Sequence, residues 1–214
     1  MELYSYFRSS AAYRVRIALG LKGLEHHIVP THLLHHGGEH LSAQYRAMNP
    51  EALVPTLVDD GQVLTQSLAI IEYLDEAYGP AQLLPATPLG RARVRALALH
   101  IACDIHPINN LRVLRYLAHE AGLSQDQRDA WYQHWINTGF ESLEQQLQRS
   151  SETGLFCHGD QPGLADCCLV PQVFNASRFK VDMTAFPTIA RISDHCNTLP
   201  AFQAAHPAQQ IDAE

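Results

Sequence analysis

Two short segments place hydroxyl and amide side chains where a helix is expected to begin. Ser9 and Ser10 follow an alternating strand pattern, and Gln66 and Ser67 follow a hairpin pattern. The first turn of a helix presents backbone N–H groups and the positive end of the helix dipole, and both favour an anion. Plain N-capping by a serine is the simpler explanation of either segment alone. Both segments are therefore candidate anion sites.

A third segment, Leu53-Val54-Pro55-Thr56-Leu57, sets a proline directly before a predicted strand. Such a proline often marks a special turn. A cis Val54–Pro55 bond is one way to build it, although only about 5–6% of X–Pro bonds in folded proteins are cis. Each of the three segments is a weak signal alone, but their order along one βαβ-ββα frame is specific.

Residues 1–80 contain the elements that must position these segments. Alternation of apolar and polar residues predicts the strands, helical spacing predicts the helices, and Asp60-Gly61 predicts a hairpin turn. A loop is expected between the second and third strands. The predicted strands cover 3–6, 25–30, 56–59 and 63–65, and the predicted helices cover 11–22 and 67–78, the latter capped by Ser67.

Beyond residue 87 almost every pattern is helical. An apolar stripe runs from Val94 to Ile105, and Pro107 should kink or break it. A capping box at Ser124 predicts the start of the next helix. Further helices are predicted at 164–179, bent by Pro171, and at 187–196, and a frayed tail is predicted at 207–214.

The predicted fold class is therefore α/β followed by all-α. The α/β domain covers 1–80 and the all-helical domain covers 88–214. Residues 79–87 are rich in Pro, Ala and Gly and predict the linker between them.

Composition narrows the classes of partner and compartment. The net charge is −7, with 22 acidic residues against 15 Lys and Arg, which argues against a nucleic-acid partner. No apolar run approaches the roughly 18–20 residues of a membrane span. The first residues, MELYSYFRSS, carry no secretory pattern. Five cysteines without a C-x-x-C spacing argue against a disulfide framework, so we expect a reducing cytoplasm.

Four of the 13 histidines, His32, His35, His36 and His40, cluster around Gly37-Gly38. Metal binding is one interpretation and a polar surface loop is the other. No helical frame fixes the ligand geometry, and no thiolate or carboxylate completes a recognised spacing. We therefore predict a surface loop and no metal.

The order of the three segments, together with further motifs, resembles the glutathione transferases. The N-terminal half is similar to their thioredoxin-like domain, and nearly the whole chain resembles their zeta class, which includes isomerases of maleyl dicarboxylates. The motifs that carry the resemblance are Tyr4-Ser5-Tyr6-Phe7-Arg8-Ser9-Ser10, Arg14-Val15-Arg16-Ile17, Val54-Pro55-Thr56-Leu57, Gln66-Ser67-Leu68-Ala69, Asp104-Ile105-His106-Pro107-Ile108-Asn109-Asn110, Leu164-Ala165-Asp166 and Arg178-Phe179-Lys180-Val181-Asp182.

The resemblance implies that glutathione is the cofactor and that a short dicarboxylate is the substrate. It assigns Ser9, with Ser10 beside it, to the glutathione sulfur, and Val54 to backbone pairing with the cysteinyl part. Gln66 and Ser67 would hold the γ-glutamyl carboxylate, and His40 would reach the glycyl end. Three arginines would meet the substrate carboxylates in one pocket between the domains, and two further residues would line the pocket. These are Arg8, Arg112 and Arg178, and His106 and Asn110.

Two positions depart from the family pattern. Ala11 stands where many zeta members have a cysteine, so no mechanism here uses a protein thiol at that place. Gly163 stands where Ser or Thr usually caps the helix that begins Leu-Ala-Asp, and glycine is an acceptable N-cap. Asp166 is interpreted as structural, accepting from backbone N–H groups near that helix start. The role of Asp104 stays open between core support and contact with a partner subunit.

The activity that the resemblance implies is glutathione-dependent cis–trans isomerisation, in a cytoplasmic homodimer. A thiolate adds to the activated double bond, rotation follows, and elimination returns glutathione. A transferase that conjugates or dehalogenates small electrophiles is the alternative enzyme. A non-enzymatic interaction protein is the third possibility, and the retained set of Ser9, Val54-Pro55 and Gln66-Ser67 argues against it.

Overall fold

The computed structural model describes residues 1–79 and 82–214 and divides the chain into two compact units. The first unit is Met1–Leu83 together with Asn197–Glu214, and the second is Leu84–Cys196. Pro80 and Ala81, which belong to the predicted linker, lie outside the described residues. The sequence placed residues 197–214 in the helical domain, whereas the structure groups them with the α/β unit.

The first unit is built on a four-stranded mixed sheet of β1 (Glu2–Ser5), β2 (His27–Pro30), β3 (Thr56–Asp59) and β4 (Gln62–Thr65), in the order β2-β1-β3-β4. β1 pairs with β2 in parallel and with β3 antiparallel, and β3 and β4 form the predicted hairpin. Asp60 and Gly61 both have positive φ, as the tight turn requires. The helices of this unit are α1 Ser10–Leu21, α2 Ala43–Met48, α3 Ser67–Ala77 and α9 Pro200–Ala205.

Helix α9 packs on α1, and this contact explains why the C-terminal segment belongs to the first unit. A Cβ built on Gly20 would lie 3.1 Å from the Cβ of Ala201, so the missing side chain allows the two helices to approach closely. Phe202 of α9 is fully buried. The tail predicted to fray is instead bonded to the unit, because the Asp212 carboxylate accepts the Phe7 N–H at 3.0 Å.

The second unit is helical throughout its regular structure. The capping box at Ser124 is confirmed, since Ser124 and Gln127 exchange side-chain to backbone hydrogen bonds of 2.9 and 3.3 Å. Pro171 lies inside a helix that runs without interruption. The bounds are α4 Pro88–Leu99, α5 Leu111–His119, α6 Gln125–Arg149, α7 Leu164–Arg178 and α8 Pro187–Cys196.

The helix that carries the apolar stripe changes its geometry before it reaches Pro107, the residue predicted to break it. α4 ends at Leu99, a π-helical turn spans His100–Ile105, and a 3-10 turn begins at Pro107. A Cβ on Gly139 of α6 would lie 2.4 Å from the Cδ1 of Ile105, so Gly139 makes room for this wider turn. Asp104 is not core support, because its side chain is 71% exposed and lies 3.6 Å from the Nδ1 of His100.

Asp166 has the structural role that the sequence predicts. Its carboxylate is buried at the start of α7 and accepts the N–H groups of Cys157 and Gly163, each at 2.9 Å. Burial raises the pKa of this carboxyl, and the backbone hydrogen bonds act in the opposite direction. The side chain therefore ties the loop before α7 to the helix start.

We expect Asp166→Ala to lower the free energy of unfolding by about 3 kcal/mol, because the buried N–H of Cys157 and the partly buried N–H of Gly163 lose their acceptor. Urea unfolding followed by circular dichroism measures the loss. The matched control is Asp182→Ala, which removes an exposed capping carboxylate and should cost about 1 kcal/mol. Equal losses in the two variants would contradict the role assigned to Asp166.

All five cysteines are free thiols, four of them buried, and Cys103 is exposed. Burial raises the pKa of the Cys157 and Cys167 thiols well above the ordinary value, so both stay protonated at neutral pH.

Among residues 1–79 and 82–214, every helix is too short or too polar to span a lipid bilayer.

Candidate functional site

The strand register brings the three predicted segments to one edge of the sheet. Tyr4 near the end of β1 pairs with Thr56 at the start of β3, and Thr56 pairs with Thr65 at the end of β4. Ser5 pairs with Pro30, so the loop after β2 leaves the sheet at the same edge. We call this edge the loop edge; it carries residues 6–10, 31–41, 53–55 and 66–67.

Ser9 is the N-cap of α1, one of the two serines that the sequence offered for this role. Its Oγ accepts the N–H of Ala12 at 3.2 Å, and its carbonyl accepts the N–H of Tyr13 at 2.8 Å. A hydroxyl that accepts with its oxygen can still donate its hydrogen. Ser10 is the first residue of α1 and is buried. Ser9 can therefore donate to an anion above the helix start.

The Val54–Pro55 bond is cis, and Val54 is buried. The Leu53 carbonyl just before it accepts from the Tyr45 hydroxyl at 2.6 Å and from the Asn49 amide at 2.9 Å. Burial raises the pKa of Tyr45. These partners lie on or just after α2, so this helix fixes the turn.

Helix α2 lies where the sequence pattern predicts a loop, so that prediction is wrong at Ala43–Met48. Local signals were present, because Ser42 caps the helix through the N–H of Tyr45 at 3.2 Å and Pro50 follows its C-terminus. The helix has only six residues, which is too short for a period to show.

Gln66, not Ser67, is the N-cap of α3, so the predicted cap is wrong. Gln66 has a φ of +66° and donates from Nε2 to the Glu51 carboxylate at 2.8 Å. A positive φ on a residue other than glycine is uncommon and often marks a functional position. Ser67 is the first residue of α3 and is buried.

Buried Arg14 reaches Ser67 from behind. Its NH1 donates to the Ser67 Oγ at 3.2 Å, and the arginine is only 2% exposed. Because the Oγ accepts from a cation, the hydroxyl hydrogen is directed elsewhere, and a positive charge lies beneath the start of α3. This arrangement suits a carboxylate bound at Ser67.

His40 lies in a 3-10 turn of the loop after β2 and is buried. A Cβ on Gly38 would lie 2.6 Å from the Cε1 of His40, and Gly38 has a φ of +111°. Glycine at this position is therefore required for the imidazole to take its place. The surface-loop prediction is wrong for His32 and His40, which are buried, whereas His35 and His36 are exposed.

Two of the clustered histidines meet the tail of the chain. The rings of His32 and His35 stack with centroids 3.5 Å apart, and both Nε2 atoms face the Glu214 carboxylate, at 3.4 and 3.0 Å. The His32 Nδ1 accepts the N–H groups of Leu34 and His35. The Glu214 carboxylate therefore lies beside two of these histidines, a proximity that the local spacing did not show.

In the second unit, three candidate residues lie on consecutive turns. His106 follows the π-helical turn, Asn110 caps α5 by accepting the Arg112 N–H at 3.1 Å, and Arg112 is exposed in the first turn of that helix. Arg178 is the last residue of α7, is exposed, and lies with its guanidinium carbon 5.8 Å from the centre of the Phe179 ring.

Helix α6 connects the two arginine-bearing segments of this unit. The indole of Trp131 donates to the Ile108 carbonyl at 2.9 Å, and the Tyr132 ring stacks on Phe179 with centroids 3.5 Å apart. Burial raises the pKa of Tyr132 to about 12, and the charge of Arg178 acts in the opposite direction. The segments that carry Arg112 and Arg178 therefore pack against neighbouring residues of one helix.

Similarity to a known family covers the first unit, and similarity to known full-length proteins covers nearly the whole chain. Residues 3–82 match the glutathione S-transferase N-terminal domain. A probable maleylacetoacetate isomerase of Vibrio cholerae is 49% identical over 99% of this chain and 97% of that protein. A solved bacterial maleylpyruvate isomerase, described as a zeta-class glutathione S-transferase, is 47% identical, has a TM-score of 0.97 and is covered completely in both chains. A maleylacetoacetate isomerase of Methylobacterium extorquens, solved with malonate and glutathione, is 40% identical, with a TM-score of 0.96 and complete coverage of both chains.

The chain belongs to the zeta class of glutathione transferases. The thioredoxin-like fold of its first unit and the helical second unit confirm the fold class that the sequence predicts. This zeta-class chain carries alanine at position 11, where the first turn of α1 meets the loop edge.

Two buried arginines that were not among the predicted site residues bind the loop edge of this zeta-class chain. Arg14 contacts Ser67, and Arg16 binds the loop that carries Ser9. The signal was available, because both arginines stand among apolar residues in the helical pattern of α1, where a charge needs a specific partner.

Proposed function

We propose that this chain is a glutathione-dependent cis–trans isomerase of a short maleyl dicarboxylate, maleylpyruvate or maleylacetoacetate, acting in the breakdown of aromatic compounds. The observation that carries the proposal is the loop edge. The Ser9 hydroxyl, the Val54 backbone and the Ser67 hydroxyl, which accepts a hydrogen bond from Arg14, all lie on this edge of the sheet. The names of the full-length relatives support the reaction.

The donor set at the loop edge fits glutathione. A ligand carboxylate can accept from Ser67 and Gln66. An amino group beside it can donate to the Glu51 carboxylate that Gln66 contacts. The backbone of Val54 can form hydrogen bonds with the backbone of a peptide. The Ser9 hydroxyl can donate to a sulfur anion at a helix start. His40 and Ser10 complete the binding set. Bound glutathione supplies a thiolate that adds reversibly to the substrate double bond.

The residues of this chain hold charge at defined places during the reaction. Ser9 donates to the sulfur and favours its anionic form. The two substrate carboxylates are bound by Arg8, Arg112 and Arg178. A planar guanidinium can donate two parallel hydrogen bonds to one carboxylate. His106 and Asn110 line the substrate space. Arg8 is exposed, with its guanidinium carbon 4.8 Å from the centre of the Phe7 ring.

The decisive assay follows both maleyl substrates by absorbance, with and without glutathione. We expect turnover of at least one substrate that depends strictly on glutathione. Absence of isomerisation together with conjugation of an uncharged electrophile would favour the alternative transferase.

We expect Ser67→Ala to weaken glutathione binding by about 1.5–3 kcal/mol, because a hydrogen bond to a charged carboxylate is lost. Isothermal titration calorimetry measures the affinity. The matched control is Ser193→Ala, which removes another buried helix serine, only 2% exposed. This variant should bind glutathione like the parent protein. Unchanged affinity in Ser67→Ala would remove Ser67 from the site.

The active form in this proposal is a cytoplasmic homodimer, as the resemblance to the class implies. Five free thiols are consistent with a reducing compartment. Light scattering of the purified protein tests the assembly, and a mass near 24 kDa in place of twice that value would contradict it.

A further inference from the structure

The loop that carries Arg8 and Ser9 is bonded from beneath by a buried arginine of α1. Arg16 is 3% exposed and donates from NH2 to the Phe7 carbonyl at 3.0 Å. Its NH1 donates to the Ser5 Oγ at 3.0 Å and to the Tyr6 carbonyl at 3.4 Å. One guanidinium therefore binds three consecutive residues, from the last residue of β1 to the residue before Arg8.

The segment that follows α9 bonds the same loop from another direction. The Asp212 Oδ2 accepts the Phe7 N–H at 3.0 Å, while the Arg16 Nε donates to the Ala205 carbonyl at 3.0 Å. Both polar groups of the Phe7 backbone are thus bound, one by Arg16 and one by Asp212. The two side chains come from positions 196 residues apart in the sequence (16 and 212).

These bonds reach Ser9 through a single turn. The Ser9 N–H donates to the Tyr6 carbonyl at 2.9 Å, and Arg16 binds that same carbonyl. The position of the Ser9 hydroxyl therefore depends on how the Tyr6 and Phe7 peptides are held.

Burying the Arg16 guanidinium costs free energy, and a purely structural role would not require that cost. Desolvation lowers the pKa of Arg16 to about 10, and the charges of Tyr13 and Asp212 act in the opposite direction. Among the described residues, the buried Asp212 Oδ1 has no hydrogen-bond partner. Well-packed apolar side chains often stabilise a fold as well as a buried charge pair does. Arg16 and Asp212 each supply directed hydrogen bonds to the loop, which apolar side chains cannot supply.

We propose that Arg16 and Asp212 are positioning residues for Ser9, so that the segment after α9 controls the acidity of the thiol bound at the loop edge. The proposal rests on the proposed function, because it takes Ser9 as the partner of the glutathione sulfur.

The test uses the full chain with Asp212→Ala, Asp212→Asn and the control Gln210→Ala. Gln210 lies in the same tail and donates to the Ala204 and His206 carbonyls without bonding the loop. The thiolate absorbance of bound glutathione is titrated against pH, and kcat and KM are measured beside the melting temperature.

We expect Asp212→Ala to raise the pKa of the bound thiol by about one unit and to lower kcat at pH 7 about threefold, with the glutathione Kd changed less than about twofold. Asp212→Asn keeps an acceptor for the Phe7 N–H and should restore most of kcat. Gln210→Ala should match the parent protein. A lower melting temperature in Asp212→Ala with unchanged thiol pKa and kcat would overturn the proposal.

Failure of the proposed function gives a different pattern. If the parent protein binds glutathione but isomerises neither substrate, the function fails and the thiol titration still decides the role of Asp212. If the parent protein binds no glutathione, hydrogen exchange of the peptide containing Phe7 shows only whether Asp212 holds the loop, and the positioning of a thiol partner is overturned with the function.

Discussion

Ser9→Ala is expected to lower kcat at pH 7 by as much as about 25-fold while glutathione remains bound. A thiol with an ordinary pKa of about 8.5 is only about 3% thiolate at pH 7, whereas a pKa two units lower gives about three-quarters. The hydroxyl of Ser9 stabilises the charged form of the sulfur and not the tripeptide as a whole. Its loss therefore affects turnover more than affinity.

The pH dependence separates this role from a general loss of structure. As the pH rises toward 9, the thiolate forms without help, so Ser9→Ala should approach the parent rate. Ser9 also caps α1, and the matched control for the cap is Ser124→Ala at the start of α6. The control should lose about 1 kcal/mol of stability and keep its rate. A rate loss in Ser9→Ala that is constant from pH 7 to about 9 would contradict thiolate stabilisation.

Features with a local cause were predictable from the sequence. The Asp60-Gly61 hairpin and the Ser124 capping box each depend on a few neighbouring residues, and both are confirmed. The gathering of Ser9, Val54 and Gln66 needed only the order of elements, because the register of a βαβ-ββα sheet leaves their segments at one edge.

Features that depend on distant contacts were not predictable in this way. The tail after α9 contains no strong periodicity, and its place is decided by the Gly20–Ala201 approach and by the bond from Phe7 to Asp212. The sequence distance between these partners hides them. For the same reason Arg14 and Arg16 could be recognised as buried charges but not paired with Ser67 and Phe7.

The geometry of the helical unit shows a mixed outcome. Pro107 signals a break, but the π-helical turn begins seven residues earlier, at His100. Ile105, the last residue of this turn, packs closely against Gly139, a contact that no local pattern reveals. This turn directly precedes His106 and the segment that leads into α5, so the positions of these candidate residues depend on tertiary packing.

Arg112→Ala and Arg178→Ala are each expected to raise KM for the maleyl substrate by about 10- to 100-fold. The cost of a lost hydrogen bond between charged groups is about 1.5–3 kcal/mol, and about 1.4 kcal/mol corresponds to tenfold. The protein carries a net charge of −7, so binding a dianion requires positive charge gathered locally. Both arginines are exposed, and the segments that carry them pack against Trp131 and Tyr132 of α6.

The substitutions Arg112→Lys and Arg178→Lys should restore little, because an ammonium group cannot bond a carboxylate through two parallel N–H groups. The matched control is Arg149→Ala, which removes another exposed arginine at a helix end of the same unit and should leave KM unchanged. Conjugation of an uncharged electrophile should change little in all of these variants, since it presents no carboxylate. Intact turnover of both maleyl substrates in Arg112→Ala and Arg178→Ala would exclude recognition of the dicarboxylate by these arginines, and a conjugating transferase would then explain the loop edge better.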